Sequence, residues 1–154
     1  MADDPQLLTD IRLDLRHSAL RPVYVVATTA RRVSTRQGGH RVLTDLATVS
    51  GRDNLGQAIM MRLLTPRGEL AALGHPEYGS RLHELIGRQN TATTRNLARL
   101  FILEAVQLER RVEKMLELEV APAPGARDRI EVRLSVKPIG ATTALDLGPF
   151  ALQL

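Results

Sequence analysis

"TATTRNLARLFILEAVQLERRVEKMLELEV", residues 91–120, changes its hydrophobic period part-way along. In its first part Leu97, Leu100, Phe101 and Ala105 recur at helical spacing, and Ala98, Ile102 and Val106 widen the stripe. Asn96, Arg99, Gln107 and Arg110 take the more polar side. A stripe this broad predicts a central helix over 91–110, covered on several sides. The period then falls to two, with Leu116, Leu118 and Val120 alternating with Glu117 and Glu119. "RIEVRLSV" (129–136) repeats that alternation, and "APAPGARD" between the two runs supplies a turn. An antiparallel hairpin follows, its polar face carrying acids on one strand and mostly arginines on the other.

Further along, Ala144–Leu147 offers a third strand, and Phe150, Leu152 and Leu154 are apolar at alternate positions after Pro149. That tail either completes the sheet or extends onto another chain by strand addition. Towards the N-terminus, Ser50–Asp53 has the spacing of a helix start. Leu55, Ala58, Ile59 and Leu63 recur at helical spacing, predicting a helix over 54–65. Pro66 stops it, because proline lacks an N–H and restricts the residue before it. Pro66 and Gly68 turn the chain. In "HPEYGSR" (75–81), Pro76 and Gly79 bound a second bend whose Tyr78 is expected to pack its ring on a helix. A short helix is expected over 80–87, opened by Ser80 and ended by Gly87. Ile11–Arg16 and the run from Val23 read as strands, Gly38–Gly39 marks a loop or hairpin tip, and Val42–Val49 is ambiguous. The expected fold class is therefore α+β, with three helices packed on one antiparallel sheet formed by C-terminal and N-terminal strands.

A chain of 154 residues is long enough to bury a core without staples. Aromatic residues are only 3%, so Leu, Val, Ile and Ala must fill that core. The absence of cysteine excludes disulfides and thiolate metal sites. The start "MADDPQLLTD" is acidic, without the basic and apolar regions of a signal peptide, and no apolar run approaches the roughly 18 residues of a membrane helix. A cytoplasmic product without membrane contact is expected. The net charge of +4 is spread thinly, with seven basic and five acidic residues in 1–50, eight and six in 51–110, and six of each in 111–154. So diffuse a charge does not point to nucleic-acid binding.

Glu69, Glu77 and Glu84 invite comparison with a glycosidase, but sequence spacing establishes neither the separation across a cleft nor the raised pKa that such a pair needs. His75, Glu77 and His83 lack a third and fourth ligand at metal-binding spacing. Ser80 has His83 and Glu84 nearby but no nucleophile-elbow pattern. "TPRGEL" and "HPEYGS" match no phosphate-binding motif. No metal, no cofactor and no enzymatic activity are expected.

The ordered series "NLGQAIMMRLLTPRGEL", "HPEYGSRLHELIG" and a long helix running into "QLERRVEKMLELEV" resembles the gene-25-like baseplate family, which includes the baseplate wedge protein W. The resemblance runs through residues 42–137, leaving 1–41 as an N-terminal strand and loop extension ahead of a domain over 42–154. It implies a structural baseplate subunit of a phage tail or another contractile injection machine, one that initiates sheath assembly by offering a β-sheet edge. The implied partners are wedge subunits, the first sheath ring and inner tube or hub proteins, with six copies around the tube. The family's acidic-proline-arginine signature falls on Glu109, Arg110 and Arg111, with Arg110 in place of the proline. These three are the implied wedge interface. Leu145, Leu147, Phe150, Leu152 and Leu154 are the implied sheath interface. The family has also been called lysozyme-like, and the alternative function is a peptidoglycan hydrolase using carboxylates such as Glu69 and Glu77.

Overall fold

The computed structural model describes residues 8–17, 22–34 and 38–154. The chain forms two compact units, Met1–Gln57 and Ala58–Leu154.

In the first unit three two-stranded antiparallel ribbons meet at one junction. Strand β1 (Thr9–Ile11) pairs with β6 (Thr48–Ser50), β2 (Leu13–His17) with β3 (Pro22–Val26), and β4 (Thr28–Ser34) with β5 (His40–Leu46). Single residues link successive ribbons: Arg12, Ala27 and Ala47. Their backbones close a ring, with Arg12 N–H donating to Ala47 O at 2.8 Å, Ala47 N–H to Ala27 O at 2.9 Å and Ala27 N–H to Arg12 O at 2.9 Å. Gln57, on the first half of helix α1 (Gly51–Leu64), clamps the junction's entry. Its side-chain oxygen accepts from Leu13 N–H at 2.8 Å and its amide nitrogen donates to Ile11 O at 2.9 Å. Among the side chains described, the ribbons bury no large apolar residue. Ile11, Val26, Val42, Leu43 and Leu46 are all exposed.

The second unit holds a three-stranded sheet in the order β7 (Val112–Pro122), β8 (Arg129–Pro138), β9 (Leu145–Gln153). Strand β8 is central, and alternation sorts its residues: Ile130, Val132, Leu134 and Val136 are buried at 0 to 2% exposure, while Arg133 stands on the opposite, open face. Helix α2 (Ala92–Gln107) lies against β7. It buries Ala98, Phe101, Ile102, Ala105 and Val106, a stripe close to the one read from the sequence, although Leu100 is exposed. The Thr91 hydroxyl caps its first turn, accepting from Thr94 N–H at 3.2 Å. Burying each large aliphatic side chain stabilises the unit by about 1.5–3 kcal/mol.

Two expectations about the fold are corrected. Among the described residues there are two helices rather than three: the segment expected as a helix over 80–87 is a four-residue 3-10 turn, Leu82–Leu85. With Ile86 already extended and Gly87 next, there is no room for a nucleus to propagate. The last helix also stops at Gln107, short of Arg110. Nor do N- and C-terminal strands share a sheet. The strands form four separate sheets, because the one-residue junctions turn the chain out of each N-terminal ribbon before a third strand can add.

Candidate functional site

The two sequence turns around Pro66 and Gly79 interlock. Arg67 N–H donates to Ser80 O at 2.8 Å and Ser80 N–H donates to Thr65 O at 2.9 Å, forming a short parallel bridge between Pro66 and Ser80. Gly79 lets the backbones approach this closely. Its φ is 105°, and a Cβ there would lie 2.6 Å from Thr65 O and 2.8 Å from Pro66 O. The buried Ser80 hydroxyl donates to Leu63 O at 2.5 Å, at the end of α1, and accepts from Leu82 N–H at 3.3 Å. Gly68 N–H reaches Tyr78 O at 3.4 Å. Pro76 is exposed at the outer end of the bend.

Beside this clasp lies an ionic cluster. The Arg62 guanidinium of α1 stacks over the Tyr78 ring, 4.5 Å from its centroid. The same guanidinium faces Glu109 at 3.7 Å, and Arg111 Nε donates to the other Glu109 oxygen at 2.8 Å. The three charged side chains are only 10 to 19% exposed. The helix ends at Gln107, so Glu109 N–H turns back to Val106 O at 3.0 Å and the carboxylate swings under the turn. Arg62 thus joins three segments of the second unit: the end of α1, the Tyr78 bend and the turn after α2.

Burial alone would push the Glu109 carboxyl up. The Arg111 hydrogen bond and charge, its backbone N–H and the Arg62 charge outweigh that, holding Glu109 below the ordinary carboxylate value. Burial pushes the Tyr78 phenol up, with Arg62 opposing. At neutral pH Glu109 is therefore a carboxylate held by two guanidiniums and Tyr78 is neutral. This set ties segments together and offers no proton for acid catalysis.

Of the residues singled out from the sequence, the structure gathers Pro66, Gly68, Tyr78 and Gly79 at the clasp, with Glu109 and Arg111 beside them. Arg110 is exposed on the outside of the turn. Leu145, Leu147, Phe150 and Leu152 sit on β9 opposite Val136, Leu134, Val132 and Ile130 of β8, on the sheet's inner face. Leu154 is buried, and its N–H donates to Asp128 O at 2.8 Å. The tail therefore completes its own sheet. Glu69 and Glu77 are exposed, and Glu77 is ion-paired with Arg67. Glu84 is paired with Arg81, whose guanidinium lies over Phe101. Among the described residues no group of three or more His, Asp or Glu side chains could hold a metal ion. The sequence reading missed Arg62. Its signal was an arginine immediately before Leu63, beside the apolar stripe of α1.

No family model matches the chain, and no curated protein matches it. Among solved structures it is similar to a proposed tail lysozyme from Geobacter sulfurreducens, with a TM-score of 0.56 and 22% identity over 66% of this chain and 89% of that one. The likeness shows a shared fold. It also corrects the expectation of a chain without enzymatic activity, since that fold is carried by a protein described as a lysozyme. None of the helices among the described residues is long and apolar enough to cross a membrane.

Proposed function

We propose that the chain is a structural component of a contractile tail or injection machine, seated in the baseplate, where it joins wedge subunits and starts sheath assembly. The observation that carries this reading is β9, a nine-residue strand at the edge of the β7–β8–β9 sheet. Its side chains fasten it to β8, while its outer backbone edge has no partner strand among the described residues. Such an edge is a template for a strand from another chain. In this reading the first sheath ring adds to that edge, above the side chains of Leu145, Leu147, Phe150, Leu152 and Leu154. The exposed Arg110 meets the wedge subunits, and Glu109 and Arg111 fix the turn that presents it. Six copies surround the inner tube and touch its hub. The fold shared with a proposed tail lysozyme supports a place in tail machinery.

The test is removal of the gene from a producing cell, followed by electron microscopy of the particles. Baseplates and tubes without sheath are expected, and re-supplying the chain restores the sheath. Normally sheathed particles in its absence would overturn the reading.

The description of the structural neighbour favours a second reading, hydrolysis of peptidoglycan. The carboxylates it would use are Glu69 and Glu77, exposed on the two turns. Release of soluble fragments from purified cell walls, lost in E69Q/E77Q, would establish it. Unchanged release in that variant would remove these residues from the chemistry.

A further inference from the structure

The outer face of the C-terminal sheet carries unbalanced negative charge. On this face Arg133 is held by Glu131 at 3.0 Å and Lys137 by Glu113 at 2.9 Å. Glu117, Glu119 and Asp146 have no ion pair among the described residues and line, with Arg133, one shallow groove beside Gly148. Lys114, opposite Lys137, and Arg129, opposite Gln153, stand towards the two ends of the face. Counting them, the five carboxylates of Glu113, Glu117, Glu119, Glu131 and Asp146 still outnumber the four cations Lys114, Arg129, Arg133 and Lys137. Asp146 accepts a hydrogen bond from the Ser135 hydroxyl at 2.6 Å, and the carboxylates of Glu117 and Glu119 are exposed.

The β4–β5 ribbon has the opposite character. It is exposed along almost its whole length on both faces. The register puts Arg31, Val33, Arg41, Leu43 and Asp45 on one face. Arg41 has no ion pair among the described residues, and Asp45 meets Arg31 only at 3.8 Å, with both more than half exposed. Leu43 on this face is 45% exposed. A two-stranded ribbon without a covered face is marginally stable by itself, so this one gains from being covered.

We propose that the β4–β5 ribbon of one copy docks on the acidic outer sheet face of a second copy, so that the protein associates head to tail. The spacing fits. Arg31 and Arg41 are diagonal neighbours across the ribbon, a separation of about 7–8 Å. Glu117 and Glu119 are two residues apart on one strand, about 7 Å. Two guanidiniums therefore meet two carboxylates without sliding, and Leu43 is covered between them. The contact uses two different surfaces, so repeated addition gives a closed ring or an open filament. It rests on charge and register alone and is independent of the tail reading.

Sedimentation equilibrium of the full chain tests it. Association is expected at about 0.1 M salt and at least about tenfold weaker association at about 1 M, where the screening length shrinks from about 10 Å to about 3 Å. R31E/R41E and E117R/E119R are each expected to be monomeric, and a one-to-one mixture of the two to associate again, because each acidic ribbon now faces a basic groove. The milder pair R31Q/R41Q and E117Q/E119Q should each weaken association at least about tenfold, with circular dichroism confirming the fold. A wild-type chain that stays monomeric at low salt overturns the proposal. So does association that survives charge reversal, or folded reversal variants that fail to recombine.

Discussion

At the scale of single residues, Glu109 decides how the second unit is held together. Its carboxylate neutralises two guanidiniums that are themselves less than a fifth exposed. Removing it leaves both uncompensated, so E109Q is predicted to lose about 3 kcal/mol of stability, against no more than about 0.5 kcal/mol for R110A on the exposed side of the same turn. The pH dependence follows from the sign of the shift. The folded-state carboxyl sits below its unfolded value near 4.5, so the unfolded chain binds the proton first as pH falls. The contribution is complete above about pH 4.5 and is lost as pH falls through the lower, folded value. Urea titrations of wild type and E109Q across the acid range should therefore converge as pH drops below that point. Equal differences at all pH values would show that Glu109 acts through packing alone. The sequence located this residue by position, through the family-like signature. It could not show that Arg62, forty-odd residues earlier, is the partner, because only the meeting of the Pro66 and Gly79 turns brings α1 to it.

At the scale of elements, period-two alternation was a faithful guide where one face of a strand is buried. β8 was legible for that reason, and β7 only in part. An irregularity between Met115 and Glu117 puts Met115 opposite Val136 and leaves Leu116 exposed. Pairing of Glu119 with Arg133 puts acid and arginine opposite each other as expected. The ion pair that forms is nevertheless within β8, between Arg133 and Glu131. The tail was legible only as a pair of alternatives, and the register resolves its local role: Phe150 lies opposite Val132 and Leu152 opposite Ile130. Deleting residues 150–154 is therefore predicted to lower the stability of the monomer by about 3 kcal/mol or more, since two half-buried apolar side chains and the buried Leu154 are lost with their strand pairing. A thermal melt checks this, and an unchanged midpoint would show that the tail belongs to another chain. The 80–87 segment failed as a helix for a complementary reason. Apolar spacing over a single turn cannot distinguish an α-helix from a 3-10 turn, and the flanking glycines limited it to one turn.

At the scale of the whole molecule, the two units follow different rules. The second is built around a buried central strand, and its organisation could be read from hydrophobic pattern. In the first, the β4–β5 ribbon is open on both faces, so pattern carried little information about where it breaks. Arg12, Ala27 and Ala47 are ordinary residues in an otherwise strand-like sequence, and nothing in their side chains announces a change of partner. The junction they form nevertheless has a dynamic signature. Each of its three backbone hydrogen bonds begins on a residue whose carbonyl closes another, so none can open without loosening its neighbour. Their amide protons are predicted to exchange with solvent deuterium at one common rate, as a single cooperative opening. Ala27→Pro, which removes one N–H, should abolish protection at Arg12 and Ala47 together. Three independent rates, or retained protection at the other two positions, would mean that the ribbons open separately. If the rates coincide, three closed hydrogen bonds act as the latch through which the ribbons gain or lose order together.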